Sequence, residues 1–286
     1  MKKYLGLLAA LVLAFPARAY EFSDEVDRTD RLYHVMELRQ SATAGFTFNK
    51  TWDLAVREEL REVVYDSGST PPAYFSKSYT TLEGGWKFFS YTDAFNNYKY
   101  NAKLNAGFTL RYLNQKLRDD AGNVQAPAKY LRYRPFVSLS GSVNFGTVKL
   151  TLRERFLADF RTDSVNTLEK PKCYMELRHR LHADFRILGK TYKPFTYIEF
   201  ANTLNQPSCY NPSGVRLYGG QYLSAIRTKV GLQWNINKEH ALVFAYSFHF
   251  TQSREVNITR KSKEINRLYM EQTCKHIISL AYEFGY

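Results

Sequence analysis

The feature that most constrains this chain is a rhythm of two. Between residues 241 and 250, Leu242, Phe244, Tyr246, Phe248 and Phe250 alternate with Ala241, Val243, Ala245, Ser247 and His249. Side chains of an extended strand point to opposite faces in turn, so this alternation dictates a β-strand with one aromatic face and one small or polar face. The same split sets Leu104, Ala106, Phe108, Leu110 and Tyr112 against Lys103, Asn105, Gly107, Thr109 and Arg111.

Charge on the second face sharpens the reading. Trp52, Leu54 and Val56 stand opposite Asp53, Arg57 and Glu59, and Val148, Leu150 and Leu152 opposite Lys149, Thr151, Arg153 and Arg155. Met175, Leu177, Leu181, Phe185 and Ile187 oppose Glu176, Arg178, Arg180, Asp184 and Arg186. A soluble β protein would turn the apolar faces into its core. A closed membrane barrel does the reverse, with apolar faces toward lipid and charges around a lumen.

Segment length separates the two. The alternating segments run for about 10 to 16 residues, well beyond the five or six usual in globular sheets and in keeping with tilted membrane strands of 9 to 11 residues plus extensions. Short connections near Asn49-Lys50, Asn144 to Thr147, Gly189-Lys190 and Asn235 to Glu239 alternate with long polar ones near 64–75, 115–128, 161–172, 204–219 and 253–270. Short turns at one rim and long loops at the other are the outer-membrane arrangement.

The two ends agree. Lys2 and Lys3 precede an apolar run from Leu5 to Phe15, and Ala17-Arg18-Ala19 presents small residues for a signal peptidase, so cleavage is expected after Ala19. The apolar run is too short for a membrane helix, which needs about 20 residues. At the other end Ile278, Leu280, Tyr282, Phe284 and Tyr286 alternate with smaller residues up to a terminal aromatic. That pattern resembles the C-terminal signal read by barrel-assembly machinery, with Tyr286 in place of the commoner Phe.

The expectation is therefore a signal peptide over 1–19 and, over 20–286, a single all-β domain: a transmembrane antiparallel up-and-down β-barrel. Eleven strands can be read, near 34–48, 51–62, 76–89, 100–114, 129–144, 147–160, 173–187, 192–203, 220–235, 240–253 and 271–286. Single-chain bacterial barrels normally have an even number. We expect about 12 strands, with another hidden in 20–32, or else 10, with 34–48 outside the wall.

Composition fits this picture. The chain has 22 Tyr and 20 Phe among 286 residues, a supply of rings suited to interfacial girdles. Its formal charge is +13, and losing Lys2, Lys3 and Arg18 with the leader leaves +10. Export argues against nucleic acid as the partner of that charge, leaving anionic lipid or an anion-attracting lumen. Cys173, Cys209 and Cys274 allow at most one internal disulfide, here placed between outer loops, and their spacing matches no metal site.

In order along the chain, Lys50-Thr51-Trp52-Asp53-Leu54-Ala55-Val56-Arg57-Glu58-Glu59-Leu60-Arg61 is followed by Ser140-Gly141-Ser142-Val143-Asn144-Phe145-Gly146. Then come Leu152-Arg153-Glu154-Arg155-Phe156, Arg178 and Arg180, Pro194-Phe195, Glu199, Arg227, Gly231 and Ala281-Tyr282-Glu283-Phe284. This series resembles the DUF2490 family of outer-membrane barrels. The resemblance implies location and fold, and no reaction, ligand or catalytic residue.

The expected lumen-lining charges are Arg57, Arg61, Glu83, Arg111, Arg153, Arg155, Glu176, Arg178, Arg180, Asp184, Arg186, Arg227, Lys229 and Glu283. Paired across strands, they would fill the lumen with salt bridges. Left in cationic excess, they would favour small anionic solutes in a narrow pore. An enzyme would need a nucleophile beside a base at the rim. His249 with Thr251 or Ser253 is the nearest arrangement, but His249 belongs to the lumen face, away from any lipid substrate. His179 and His182 fall on opposite faces of one strand and cannot share a metal. Gly84-Gly85 and Gly219-Gly220 lack the following Lys-Ser of a phosphate loop and read as strand bends. No catalytic residue, metal or cofactor is expected. The expected partners are outer-membrane lipid, the assembly machinery and a small solute the sequence does not specify.

Overall fold

The computed structural model describes residues 28–67, 74–118, 124–162, 172–189, 191–210, 216–258 and 265–285. Ala17, Ala19 and Tyr286, named above for export and assembly, lie outside them. Eleven strands follow in order: β1 (Arg28–Thr47), β2 (Trp52–Asp66), β3 (Tyr74–Thr92), β4 (Lys99–Arg118), β5 (Val124–Asn144), β6 (Val148–Arg161), β7 (Cys173–Phe185), β8 (Tyr192–Tyr210), β9 (Arg216–Asn235), β10 (His240–Ile258) and β11 (Ile265–Gly285). Each pairs with its neighbours in sequence, and β1 meets β11, so the sheet closes on itself as the alternation required.

The ring holds eleven strands, one fewer than the twelve expected and one more than ten. Strands that alternate in direction around an odd ring must leave one pair running the same way. Here that pair is β1 and β11, in parallel register from Arg28 opposite Leu268 to Gly45 opposite Gly285. Residues 34–48 therefore belong to the wall. Arg28 lies at the long-loop rim and Gly285 at the short-turn rim.

The strands also run further than their alternation. β3, β4, β8, β9 and β11 extend into stretches whose polar composition reads as loop. Hairpin pairing needs only backbone partners, so it continues past the level where side chains must alternate. At the other rim the turns are tight. Gly146 and Gly189 adopt φ of 91° and 76°, a left-handed backbone that glycine takes without steric cost.

Outside, the barrel is apolar. Leu82, Leu139, Leu181, Val230, Phe244 and Ile278 are among the exposed large hydrophobics of the wall. Rings gather toward the short-turn rim, where Trp52 stacks on Trp86 at 5.8 Å, Tyr98 meets Phe145 edge-on at 5.1 Å and Tyr192 stacks on Trp234 at 6.4 Å. An apolar band bordered by aromatic residues is the surface a barrel presents to lipid.

Inside, two glycines make room for aromatic residues. Gly107 lies opposite Phe136, and a Cβ there would come within 2.4 Å of that ring. Gly231 lies opposite Phe195, with a Cβ clearance of 2.5 Å. Each ring folds over its glycine and lies against the inner wall, where it carries charge. Arg155 sits over Phe136 at 4.2 Å and Lys229 over Phe195 at 5.9 Å.

Candidate functional site

Every second residue of each strand faces the inner wall, and many of these residues on β1 to β9 are arginines or carboxylates, so closure brings together charges far apart in sequence. Glu199 of β8 is the central case. Arg227, directly opposite on β9, donates to its Oε1 at 2.6 Å. Arg180, opposite on β7, donates to its Oε2 at 2.7 Å. Arg153, one strand further, approaches to 3.6 Å. One carboxylate thus holds guanidinium groups from three strands and is only 1% exposed.

Five further carboxylates of the inner wall each hold at least one arginine. Glu37 of β1 takes Arg39 at 2.5 Å and Arg61 of β2 at 3.8 Å. Glu59 takes Arg61 at 2.5 Å and also binds Arg57. Asp159 takes Arg134 at 2.7 Å and also Arg111, whose second amine donates to the Tyr79 hydroxyl at 3.3 Å. Glu83 takes Arg155 at 3.1 Å and accepts from Asn105, while Glu176 binds Arg178 and faces Arg227 at 3.9 Å. Aromatic rings seal the gaps: Arg61 lies 4.1 Å over Tyr79, and Arg180 4.1 Å over Tyr197.

Of the charges read from the sequence as lumen-lining, Arg57, Arg61, Glu83, Arg111, Arg153, Arg155, Glu176, Arg178, Arg180 and Arg227 enter these clusters. Asp184 faces inward and pairs with His182 at 2.8 Å. Lys229 and Glu283 face inward without an ion pair among the described residues. Arg186 is a correction. The chain leaves β7 at Phe185, so Arg186 is an exposed turn residue whose amide donates to Thr147 at 2.7 Å.

Glu37, Arg39, Tyr79, Arg134 and Asp159 were missed. The first two lie on the strand that parity set aside, and Asp159 continues the face already read for Lys149, Arg153 and Arg155. Tyr79 gave no signal, because a tyrosine on a strand reads equally well as girdle or interior.

The outer wall holds one unexpected pair. Glu154, midway along β6, faces His179 of β7, and its carboxylate contacts the imidazole Nδ1 between exposed Leu139 and Phe200 on the neighbouring strands. His182 faces the other way, as alternation required. Cys173 and Cys274 carry free thiols, and Cys274 lies well inside β11 rather than at its loop end. Among the described residues no three His, Cys, Asp or Glu side chains are placed to hold a metal ion.

No protein-family profile matches the chain, so the DUF2490 resemblance rests on its motifs. No curated protein matches it either. Solved structures similar to it include the β domain of the Bordetella autotransporter BrkA, at 13% identity over 83% of this chain and 85% of that one, with a TM-score of 0.34. A second is OmpT, an outer membrane protein of Vibrio cholerae in trimer form, at 8% identity over 78% and 83%, TM-score 0.33. A third is an anion-selective porin from Comamonas acidovorans, at 11% identity over 79% and 82%, TM-score 0.27.

Proposed function

We propose that the chain is an outer-membrane β-barrel, of the kind the DUF2490 resemblance implies, whose lumen is closed at mid-height by a salt-bridged core. In this reading it serves as a structural or surface-interaction barrel, with its apolar wall in lipid and its long loops available to partners outside. The observation that carries the closed lumen is the burial of acidic heads on the inner wall: Glu37 and Glu199 are each 1% exposed and Asp159 3%. Water filling an open channel would touch them. Assembly machinery would read Tyr282, Phe284 and Tyr286, and no enzymatic step is assigned.

The test is single-channel conductance of the purified barrel in planar bilayers, with an unboiled gel to confirm that the barrel has formed. A folded, silent barrel is expected. The second reading, a narrow path for small anions, is favoured by inward lysines without acidic partners. It requires steady conductance with anion preference that weakens when Arg153 and Arg155 are neutralised, and that result would displace the closed barrel.

A further inference from the structure

We propose that the outer face of β1 and β2 is an interface between two copies of this chain in the membrane, with Glu58 of each copy hydrogen-bonded to Gln40 of the other. The inference rests on the outer-membrane reading, because a carboxylate exposed on the outer wall is costly only where that wall faces lipid. It does not depend on whether the lumen is closed.

One carboxylate stands on the wrong face of the wall. Glu58 of β2 is in phase with Leu54, Val56 and Leu60, the apolar outer set, whereas Arg57, Glu59 and Arg61 point inward and pair with one another. Glu58 is exposed and makes no hydrogen bond or ion pair among the described residues. Six residues above Trp52 at the short-turn rim, it stands about 15 Å up an apolar band roughly 25 Å tall, near the middle. Glu62, four residues further along the same face, reaches the far edge of the band and the level of polar head groups. Glu154, the other outer-wall acid at mid-height, has the imidazole of His179. Glu58 has no such neighbour.

Gln40 of β1 repeats the anomaly. Its amide is exposed on the outer wall and also lacks a hydrogen bond among the described residues. Ala42 lies opposite Glu58, and Gln40 opposite Leu60, so these four residues form a quadrilateral with Gln40 and Glu58 at the ends of one diagonal. Rows of cross-strand partners climb the barrel as strand number rises. The row that starts at Trp52, at the foot of β2, passes through Trp86, Leu104 and Leu139 to Glu154, six residues up β6. With strands tilted in that sense by about 40°, Gln40 and Glu58 come within about 2 Å of one height and stand roughly 8 Å apart. Ala42 lies below and Leu60 above, on the vertical line between them.

That arrangement is self-complementary. A two-fold axis along the membrane normal inserts both copies in the same direction, and it brings together residues at equal height. Placed on the line of Ala42 and Leu60, it sets Glu58 of each copy against Gln40 of the other. An amide N–H then donates to a carboxylate twice, and two groups unmet in one copy are satisfied in a pair. Ala42, small and exposed, meets its own counterpart and lets the walls approach. A lipid tail offers the carboxylate no donor.

The experiment is sedimentation equilibrium of the mature barrel in uncharged, density-matched detergent, with an unboiled gel to confirm folding. A reversible monomer–dimer equilibrium is expected. Glu58→Leu and Gln40→Leu should each raise the dimer Kd by about tenfold. The exchange of the two side chains, Gln40→Glu with Glu58→Gln, should restore association, and Glu154→Gln should leave it unchanged. A second measurement needs none of these variants. In phosphatidylcholine vesicles, with Cys173, Cys209 and Cys274 changed to Ser, a short bis-maleimide should capture Ala42→Cys as a covalent dimer and spare Leu181→Cys on the opposite side of the ring. A wild type that stays monomeric would overturn the interface, as would leucine variants that associate normally, an exchange that restores nothing, or equal capture at both cysteines. A folded monomer in the vesicles would remove the interface and leave the outer-membrane reading. A chain that stays in solution without detergent and does not enter vesicles would remove both.

Discussion

Gly45 and Gly285 lie side by side near the ends of the first and last strands, and both strands run in the same direction past them. Four residues earlier, Ser41 is opposite Ala281 in the same register. Both are small, and both belong to the inward-facing set. In a background with Cys173, Cys209 and Cys274 changed to Ser, the double variant Ser41→Cys, Ala281→Cys should form a disulfide on mild oxidation, seen as a mobility shift on a denaturing non-reducing gel. Shifting one partner to Ala44→Cys should abolish it, since disulfides need Cα atoms within about 7 Å.

Removing the central carboxylate should cost more than removing any one of its partners. Glu199→Ala leaves Arg153, Arg180 and Arg227 without their shared acid, and loss of one side of a buried ion pair typically costs about 3–5 kcal/mol. Arg153→Ala, which gives up only the 3.6 Å contact, should cost about 1 kcal/mol. Urea midpoints of unfolding in detergent or lipid would check the order.

Gly107→Ala should destabilise the barrel by about 1–3 kcal/mol through overpacking. The new Cβ would meet the Phe136 ring at 2.4 Å and the Leu82 carbonyl oxygen at 2.5 Å. Because Arg155 rests on that ring, the damage should reach the ion pair with Glu83. Coupling between Gly107→Ala and Glu83→Gln in a double-mutant cycle would show it.

On the outer wall, His179→Ala should cost about 1–2 kcal/mol, since it removes the polar partner of Glu154 on the apolar face of the barrel. Adding Glu154→Gln should recover most of the loss. Equal stabilities for the single and double variants would mean that the pair is not in lipid.

Topology gives a labelling test. Ser67, beside the long-loop end of β2, and Asp93, in the β3–β4 turn, lie at opposite rims. In intact cells of the cysteine-free background, a membrane-impermeant maleimide should label Ser67→Cys and spare Asp93→Cys. The reverse pattern would invert the barrel.

The wall was legible in the sequence because alternation is local. Leu242 to Phe250 needs no knowledge of the remaining strands to declare its two faces, and each strand interior obeyed the face assigned to it. Partners were not legible. Glu199 meets Arg227 and Arg180 only because β7, β8 and β9 pair in one register among many, and register depends on the turns and on closure. Arg186 failed for a related reason: alternation continues on paper through Ile187, whereas the backbone turns after Phe185. The strand count failed differently, through a rule about families of barrels rather than a property of these residues. The segments themselves numbered eleven.

That number bears on how such a ring could arise. Duplicating a hairpin adds two strands, preserves parity and keeps both chain ends at one rim. Eleven is odd, so the ring closes through one parallel contact, β1 with β11, and Arg28 and Gly285 lie at opposite rims. Passengers fused before Arg28 and after Gly285 would therefore face different compartments.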